Sequence, residues 1–184
     1  MKKQNLEEVS LFGIRGDVEI KEYELAVDEN GNTYRTGKLV GEYTEKNVIL
    51  NQGTRLILES FAEQSKVDSA AKTIKIGNDT GAGTILNPAP ATTNMTEANQ
   101  NVLYETPVEE FFVSYPTQDS VKFLATINGP AVMSMYPSLP NVIYTSASLY
   151  THSGKSVTYK RFSARTISSL ISVDITWTIS LTRV

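Results

Sequence analysis

The stretch ISVDITWTISLTRV, Ile171 to Val184, constrains the fold more than any other part of the chain. Ile171, Val173, Ile175, Trp177, Ile179 and Leu181 alternate without a break with Ser172, Asp174, Thr176, Thr178, Ser180 and Thr182. Period two in residues of this type is the pattern of a half-buried antiparallel strand. A one-residue slip would expose all six apolar side chains, so the register must be strongly specified and all six are expected to face a core.

Weaker versions of the same pattern recur upstream. NVIYTSASLY and SVTYKRFSA read as strands joined by THSGKS, whose Ser153-Gly154 pair is turn chemistry, and together they predict a hairpin from about Asn141 to Ala164. VKFLATI (Val121 to Ile127), VEEFFVSY (Val108 to Tyr115), TIKIG and DVEIKEYELAV add further candidates. In the last, the apolar phase changes between Val18-Ile20 and Tyr23-Leu25-Val27, as a bulge or a crossing between sheets would produce. DENGNTYRTG follows as a hairpin loop, because Asn-Gly supplies the positive backbone angles of a tight turn.

One segment reads as helix. NQGTRLILESFAEQ places Leu56, Ile57 and Phe61 on one face, flanked by Leu58 and Ala62, with Asn51 as N-cap. From Gly77 to Thr96 the chain is rich in Gly, Pro, Asn and Thr, an irregular excursion too long to be a simple connection. Poor in large apolar residues, it is expected to be mobile in an isolated subunit. Ile85, Leu86, Pro88, Pro90 and Met95 are its apolar handles, and they are the expected assembly contact.

Chemistry-bearing motifs fail on spacing. In KTIKIGNDTGAGT, five positions on from Gly77 is Ala82, and Thr84 rather than Lys follows Gly83, so no phosphate-binding loop is spelled. Gly81-Ala82-Gly83 continues as Thr84-Ile85-Leu86, which ends the dinucleotide pattern too, and the prolines downstream oppose the helix that either loop must open. DENGN resembles the start of a calcium loop, but counting from Asp28 puts Thr33 and Leu39 where Gly and Glu are required. Arg15-Gly16-Asp17 is a tripeptide that recurs by chance. Glu7-Glu8 and Glu109-Glu110 point to opposite faces of any strand, so neither pair forms a catalytic dyad by itself.

Composition narrows the chemistry further. There is no cysteine and a single histidine, His152, on an expected hairpin tip. Thiol catalysis, zinc fingers, iron–sulfur sites and disulfides are therefore excluded, and no cofactor or metal is expected. With 40% hydrophobic and 20% charged residues the chain has the balance of a globular domain. Its net charge of −3 gives no reason to expect a nucleic-acid partner. No stretch approaches the roughly 18 apolar residues of a membrane span. MKKQNLEEVS has no apolar core after its lysines, so synthesis in a cytoplasm without a secretory signal is expected. Nine tyrosines, with Tyr136, Tyr144, Tyr150 and Tyr159 near the hairpins, are candidates for a sugar- or protein-binding face.

The order of the motifs is more informative than any one of them. NVILNQGTRLILESF, then IKIGNDTGAGTILNPAP, then a hairpin carrying SASLY and YKRF, then VDITWTISL, resembles a loosely defined group of small structural virion proteins of tailed bacteriophages. The drawn-out TILNPAPATTNMTEANQN departs from that pattern. The resemblance implies a β-sandwich in a tail, baseplate, neck, fibre or capsid-decoration role. It implies a virion location after synthesis in the host bacterial cytoplasm, no catalytic residues, and partners that are copies of itself and neighbouring virion proteins.

The expectation for the whole chain, 1–184, is one mainly antiparallel β-sandwich of roughly eight strands with one packed helix, 1–16 forming an N-terminal arm. Two other classes compete with a structural role. One is a carbohydrate- or receptor-binding module, with a host surface glycan as partner, which needs clustered exposed tyrosines. The other is a carboxylate-based hydrolase, which needs two carboxylates converging in a pocket.

Overall fold

A computed structural model of the chain describes residues 12–51, 53–56, 71–84, 86–89, 100–108 and 113–183. They form the strands β1 (Phe12–Val27), β2 (Thr33–Ile49), β3 (Ala71–Asn78), β4 (Asn101–Pro107), β5 (Val113–Thr117), β6 (Ser120–Asn128), β7 (Val142–Thr151), β8 (Ser156–Ile167) and β9 (Ile171–Arg183), with a short helix at Gly129–Met135. All strand pairs are antiparallel. One sheet runs β2-β1-β9-β6-β5 and the other β4-β3-β7-β8. The two are continuous at one corner, where the end of β2 pairs with β8 through Val48↔Tyr159 and Ile49↔Thr158. The fold is a β-sandwich.

β9 is the spine of the first sheet. It pairs with β1 without a register break from Arg183↔Phe12 to Ile171↔Glu24, and with β6 on its other side. Val173, Ile175 and Trp177 are fully buried, as their alternation requires. They meet Ile74 and Ile76 of β3, Ala147 and Leu149 of β7 and Phe162 of β8 in one core. The Trp177 indole N–H crosses to the second sheet and donates to Thr158 Oγ1 at 3.0 Å. Ile171 and Ile179 are partly buried against this core. Leu181 departs from expectation and is 42% exposed. It lies at the free end of the sheet, where its N–H donates to Asp119 O of the β5–β6 turn.

The phase change in β1 does not come from a bulge in β1 itself: the extra residues belong to its partner β2. β1 stays in register with β9, while β2 shifts between Glu22/Tyr23 and again between Tyr23/Leu25. The loop expected over DENGNTYRTG shrinks to a turn at Asp28–Asn32, closed by Asp28 N–H to Asn32 O at 2.9 Å, and Thr33 already begins β2. From Phe12 on, the expected N-terminal arm is strand; residues 1–11 lie outside the described ones.

The expected helix begins where it should. Asn51 and Gly53 to Leu56 are helical, Leu56 is buried, and Ile57, Leu58, Phe61 and Ala62 lie outside the described residues. Its first bond runs from Thr54 N–H to Leu50 O, so Leu50 rather than Asn51 holds the cap position. This turn sits hard against β8: a Cβ on Gly53 would lie 2.0 Å from Val157 O. The helix thus starts on the outer face of the second sheet, where Val157 and Tyr159 are buried.

Candidate assembly site

The Gly-rich corner is built from Asp79 outward. β3 ends at Asn78, and the next residue locks onto the start of β7: Asp79 N–H donates to Thr145 Oγ1 at 2.9 Å, and the same hydroxyl lies 3.2 Å from Asp79 O. The Asp79 carboxylate folds the chain back by accepting from Gly81 N–H at 2.8 Å, a local turn that short acidic side chains favour. Its other oxygen takes Arg161 Nε at 2.8 Å and the Tyr159 hydroxyl, both from β8. Arg161 also reaches forward to Ala89 O at 3.3 Å.

The guanidinium therefore clamps both ends of the loop. Within it, Gly83 and Ala89 N–H groups both donate to Thr80 O, at 3.0 and 2.9 Å, and Thr84 and Asn87 exchange backbone bonds. Gly81 is obligatory here, with φ +58° and only 2.6 Å between an added Cβ and Arg161 Nη1. Asp79 and Arg161 side chains are each 9% exposed. Burial pushes the Tyr159 phenol well up, and the Asp79 carboxylate beside it adds to the shift. A loop expected to be mobile is thus tied down along 79–84 and 86–89. Of the five handles, Leu86 is 77% exposed and Pro88 half-buried. Ile85, Pro90 and Met95 lie outside the described residues.

An open depression of about 540 Å³ lies beside the clamp, lined by Asn78, Asp79, Thr80, Ile143 and Thr145. Its one carboxylate already accepts from a guanidinium, a phenol and an amide. A second buried carboxylate, Glu22, is likewise held by Arg165 Nε at 2.8 Å and Nη2 at 3.0 Å and by the Tyr144 hydroxyl at 3.1 Å. It faces the interior between the sheets, so the two carboxylates do not converge. Among the described residues no group of three or more His, Asp or Glu is placed to hold a metal ion, and no buried side-chain polar atom lacks a partner. No helix among them is long and apolar enough to cross a membrane.

The tyrosines do not gather on one face. Tyr144 and Tyr159 are fully buried on opposite sides of the second sheet, Tyr136 donates to Leu103 O at 3.0 Å, and Tyr150 stacks under Lys75. His152 is an exposed residue of the β7–β8 turn. Glu7, Glu8, Glu109 and Glu110 lie outside the described residues.

What does gather is exposed apolar side chain. The end of the sandwich that carries the β1–β2 turn, the β8–β9 turn and the helix-to-β7 connection presents Val27 (54% exposed), Tyr34 (53%), Met135 (59%), Leu139 (49%), Ile143 (42%) and Leu170 (52%). Leu25 N–H donates to Leu170 O at 2.7 Å, which holds two of these segments side by side. The opposite end presents Leu181 and, on β5, Tyr115 (77% exposed). Sequence reasoning missed this surface because its members come from three separate segments, each with only one to three of these apolar residues. No known protein family, curated protein or solved structure matches the chain.

Proposed function

We propose that this chain is a structural, non-catalytic subunit of a tailed-bacteriophage virion, assembling with copies of itself and with neighbouring virion proteins. The observation that carries the reading is the apolar end around Val27, Tyr34, Leu139 and Leu170. Concentrated exposure of this kind marks a surface that a partner covers. The clamped loop adds Leu86 as a fixed projection rather than a lid, which suits a docking surface better than a ligand gate.

The motif order described above supplies the virion setting. Mass spectrometry of purified particles should find the chain at a fixed copy number, near the capsomer count for decoration and a few to a few dozen for tail or neck. A Val27→Asp/Leu170→Asp double variant should fold and yet be lost from particles. Absence of the parent chain from particles, or normal incorporation of the double variant, overturns the proposal.

A further inference from the structure

The two ends of the sandwich differ in charge. At the apolar end, ion pairs cancel Arg35 with Asp174, Lys38 with Glu24 and Arg161 with Asp79. Among the described residues this leaves Asp28 and Glu29, in the β1–β2 turn beside Val27, as the charge of that end. At the opposite end Arg15 and Asp17 pair with each other, Lys155 stands in the β7–β8 turn, and Lys122 lies on β6 opposite Ser114 of β5. One carboxylate, Asp119 of the β5–β6 turn, stands against these two lysines. The first end is acidic and the second is basic.

The same strands carry both ends. In the first sheet, Leu170 precedes β9 and Leu181 lies near its far end. In the second, β7 runs from Ile143, which lines the depression beside the clamp, to the turn at His152. At roughly 3.3 Å per residue each column is about 30–36 Å tall. The sheets run alongside each other: Glu22 of β1 meets Tyr144 and Arg165 towards the apolar end, and Trp177 of β9 meets Thr158 towards the other. A single shift of a second copy along the strands therefore closes both columns at once. Its Leu181 comes over Leu170, and its β7–β8 turn comes over Ile143.

Turn and depression are both built in advance. His152 to Lys155 are exposed, and the turn is closed by Thr151 N–H to Lys155 O at 2.9 Å and by Gly154 N–H to Thr151 O at 3.0 Å, so it projects as a fixed knob. The depression, about 540 Å³, has its wall at Asp79 and Thr80 held by the Arg161 clamp. Neither has to be reordered for the two to meet, which keeps the cost of association low. Pairing two acidic ends face to face would instead bring Asp28 and Glu29 of both copies to one interface, where like charges oppose binding.

We propose that copies of this chain stack head to tail, the acidic apolar end of one against the basic end of the next, with the β7–β8 turn seated in the depression beside Ile143. The contact uses two different surfaces, so each added copy leaves one of them open. The assembly grows as a filament, or closes into a ring where the rotation per step allows. The inference deepens the assembly reading and rests on it for its setting, yet the two fail separately. A monomer that still enters particles sinks the stacking alone, and a stacking chain absent from particles sinks the virion role alone.

The test is sedimentation of the full chain over a concentration series at low and high salt. The parent should give species beyond the dimer, shifted to smaller ones by salt, which screens the contact between acidic and basic ends. Val27→Asp/Leu170→Asp blocks one end and Tyr115→Asp/Leu181→Asp the other, and each should be monomeric with the circular dichroism of the fold retained. The decisive arm is their one-to-one mixture, which should form a heterodimer and stop there, because one intact end of each kind remains. Lys155→Glu changes the knob in an exposed turn without touching the core, and should raise the association Kd severalfold. A parent that stays monomeric or stops at a dimer overturns the proposal. So does a Tyr115→Asp/Leu181→Asp variant that still dimerises, a mixture that fails to pair, or a Lys155→Glu variant that stacks like the parent.

Discussion

Two clusters of the same composition, an arginine, a carboxylate and a tyrosine, sit on opposite faces of one strand. On the inner face Arg165 of β8 holds Glu22 of β1 with two bonds, and Tyr144 of β7 completes the group. On the outer face Arg161 of β8 holds Asp79 with Tyr159 beside it. Arginines four apart on a regular strand face the same way. Here Arg161 pairs with Ser146 and Arg165 with Tyr144, so four steps on β8 match two on β7, and the bulge reverses the facing.

The difference lies in where the carboxylate comes from. Glu22 belongs to the other sheet, so the inner cluster fixes how the two layers sit. Asp79 follows directly on β3, so the outer cluster fixes only the loop. The inner site is also the more tightly built: a Cβ on Gly41 would lie 2.0 Å from Glu22 Oε2, and the Tyr144 ring packs edge-on against Phe162 at 5.6 Å. Burial lowers the Arg165 guanidinium, but the hydrogen bonds and charge of Glu22 outweigh it and leave its pKa raised.

Removing Arg165 should therefore have the largest effect. Arg165→Met strands the Glu22 carboxylate between the sheets, and breaking a buried pair in this way costs about 3–5 kcal/mol. Adding Glu22→Leu should return much of the loss, since a matched apolar replacement is often neutral. Denaturant unfolding checks both. A single variant that unfolds with the parent would erase the contrast between the clusters.

Arg161→Ala should cost less, about 1–3 kcal/mol, because the Asp79 carboxylate loses one donor but keeps Gly81 N–H and the Tyr159 hydroxyl. Gly81→Ala should cost about 1–2 kcal/mol from the left-handed backbone alone, with the contact against Arg161 added. Thermal melts should rank both below Arg165→Met. Equal or larger shifts would mean that the loop clamp supports the whole fold.

The tyrosines separate the clusters by pH. Burial raises the Tyr144 phenol well above its ordinary value, with the Glu22 charge adding to it, and burial followed by the Asp79 hydrogen bond raises Tyr159. A group whose folded pKa lies above its unfolded value contributes stability that is full below the unfolded pKa and lost as pH rises through the folded one. The fall should begin near pH 10, the ordinary value for tyrosine. Tyr144→Phe and Tyr159→Phe should each flatten the alkaline limb of a Tm–pH profile. A limb unchanged in both would mean that neither phenol is buried as described.

The strands that alternate cleanly were legible in the sequence. Val173, Ile175 and Trp177 announce β9, and the Ser153-Gly154 turn announces the β7–β8 hairpin. β2 was not legible, because Gly37, Gly41 and two register shifts break its period. β4 faces solvent for most of its length and so has no apolar face to show. The helix Gly129–Met135 is too short for a helical period; its signals are Pro130 in the first turn and Gly129, where a Cβ would lie 2.1 Å from Ser168 O and Ile171 O. The clamp was half legible. Asp79 two residues before a glycine marks a turn, but the partner that buries it lies 82 residues away, beyond any local pattern.

Hydrogen exchange on Arg161→Ala and Arg165→Met, side by side with the parent, tests most directly the claim that one cluster holds the loop and the other holds the sheets together. Arg161→Ala should lose protection at Gly81, Gly83, Thr84, Asn87 and Ala89 while β1 and β9 exchange as in the parent. Arg165→Met should speed exchange throughout β1, β8 and β9. Faster exchange in β1 and β9 of Arg161→Ala, or an unchanged loop in that variant, would contradict the account.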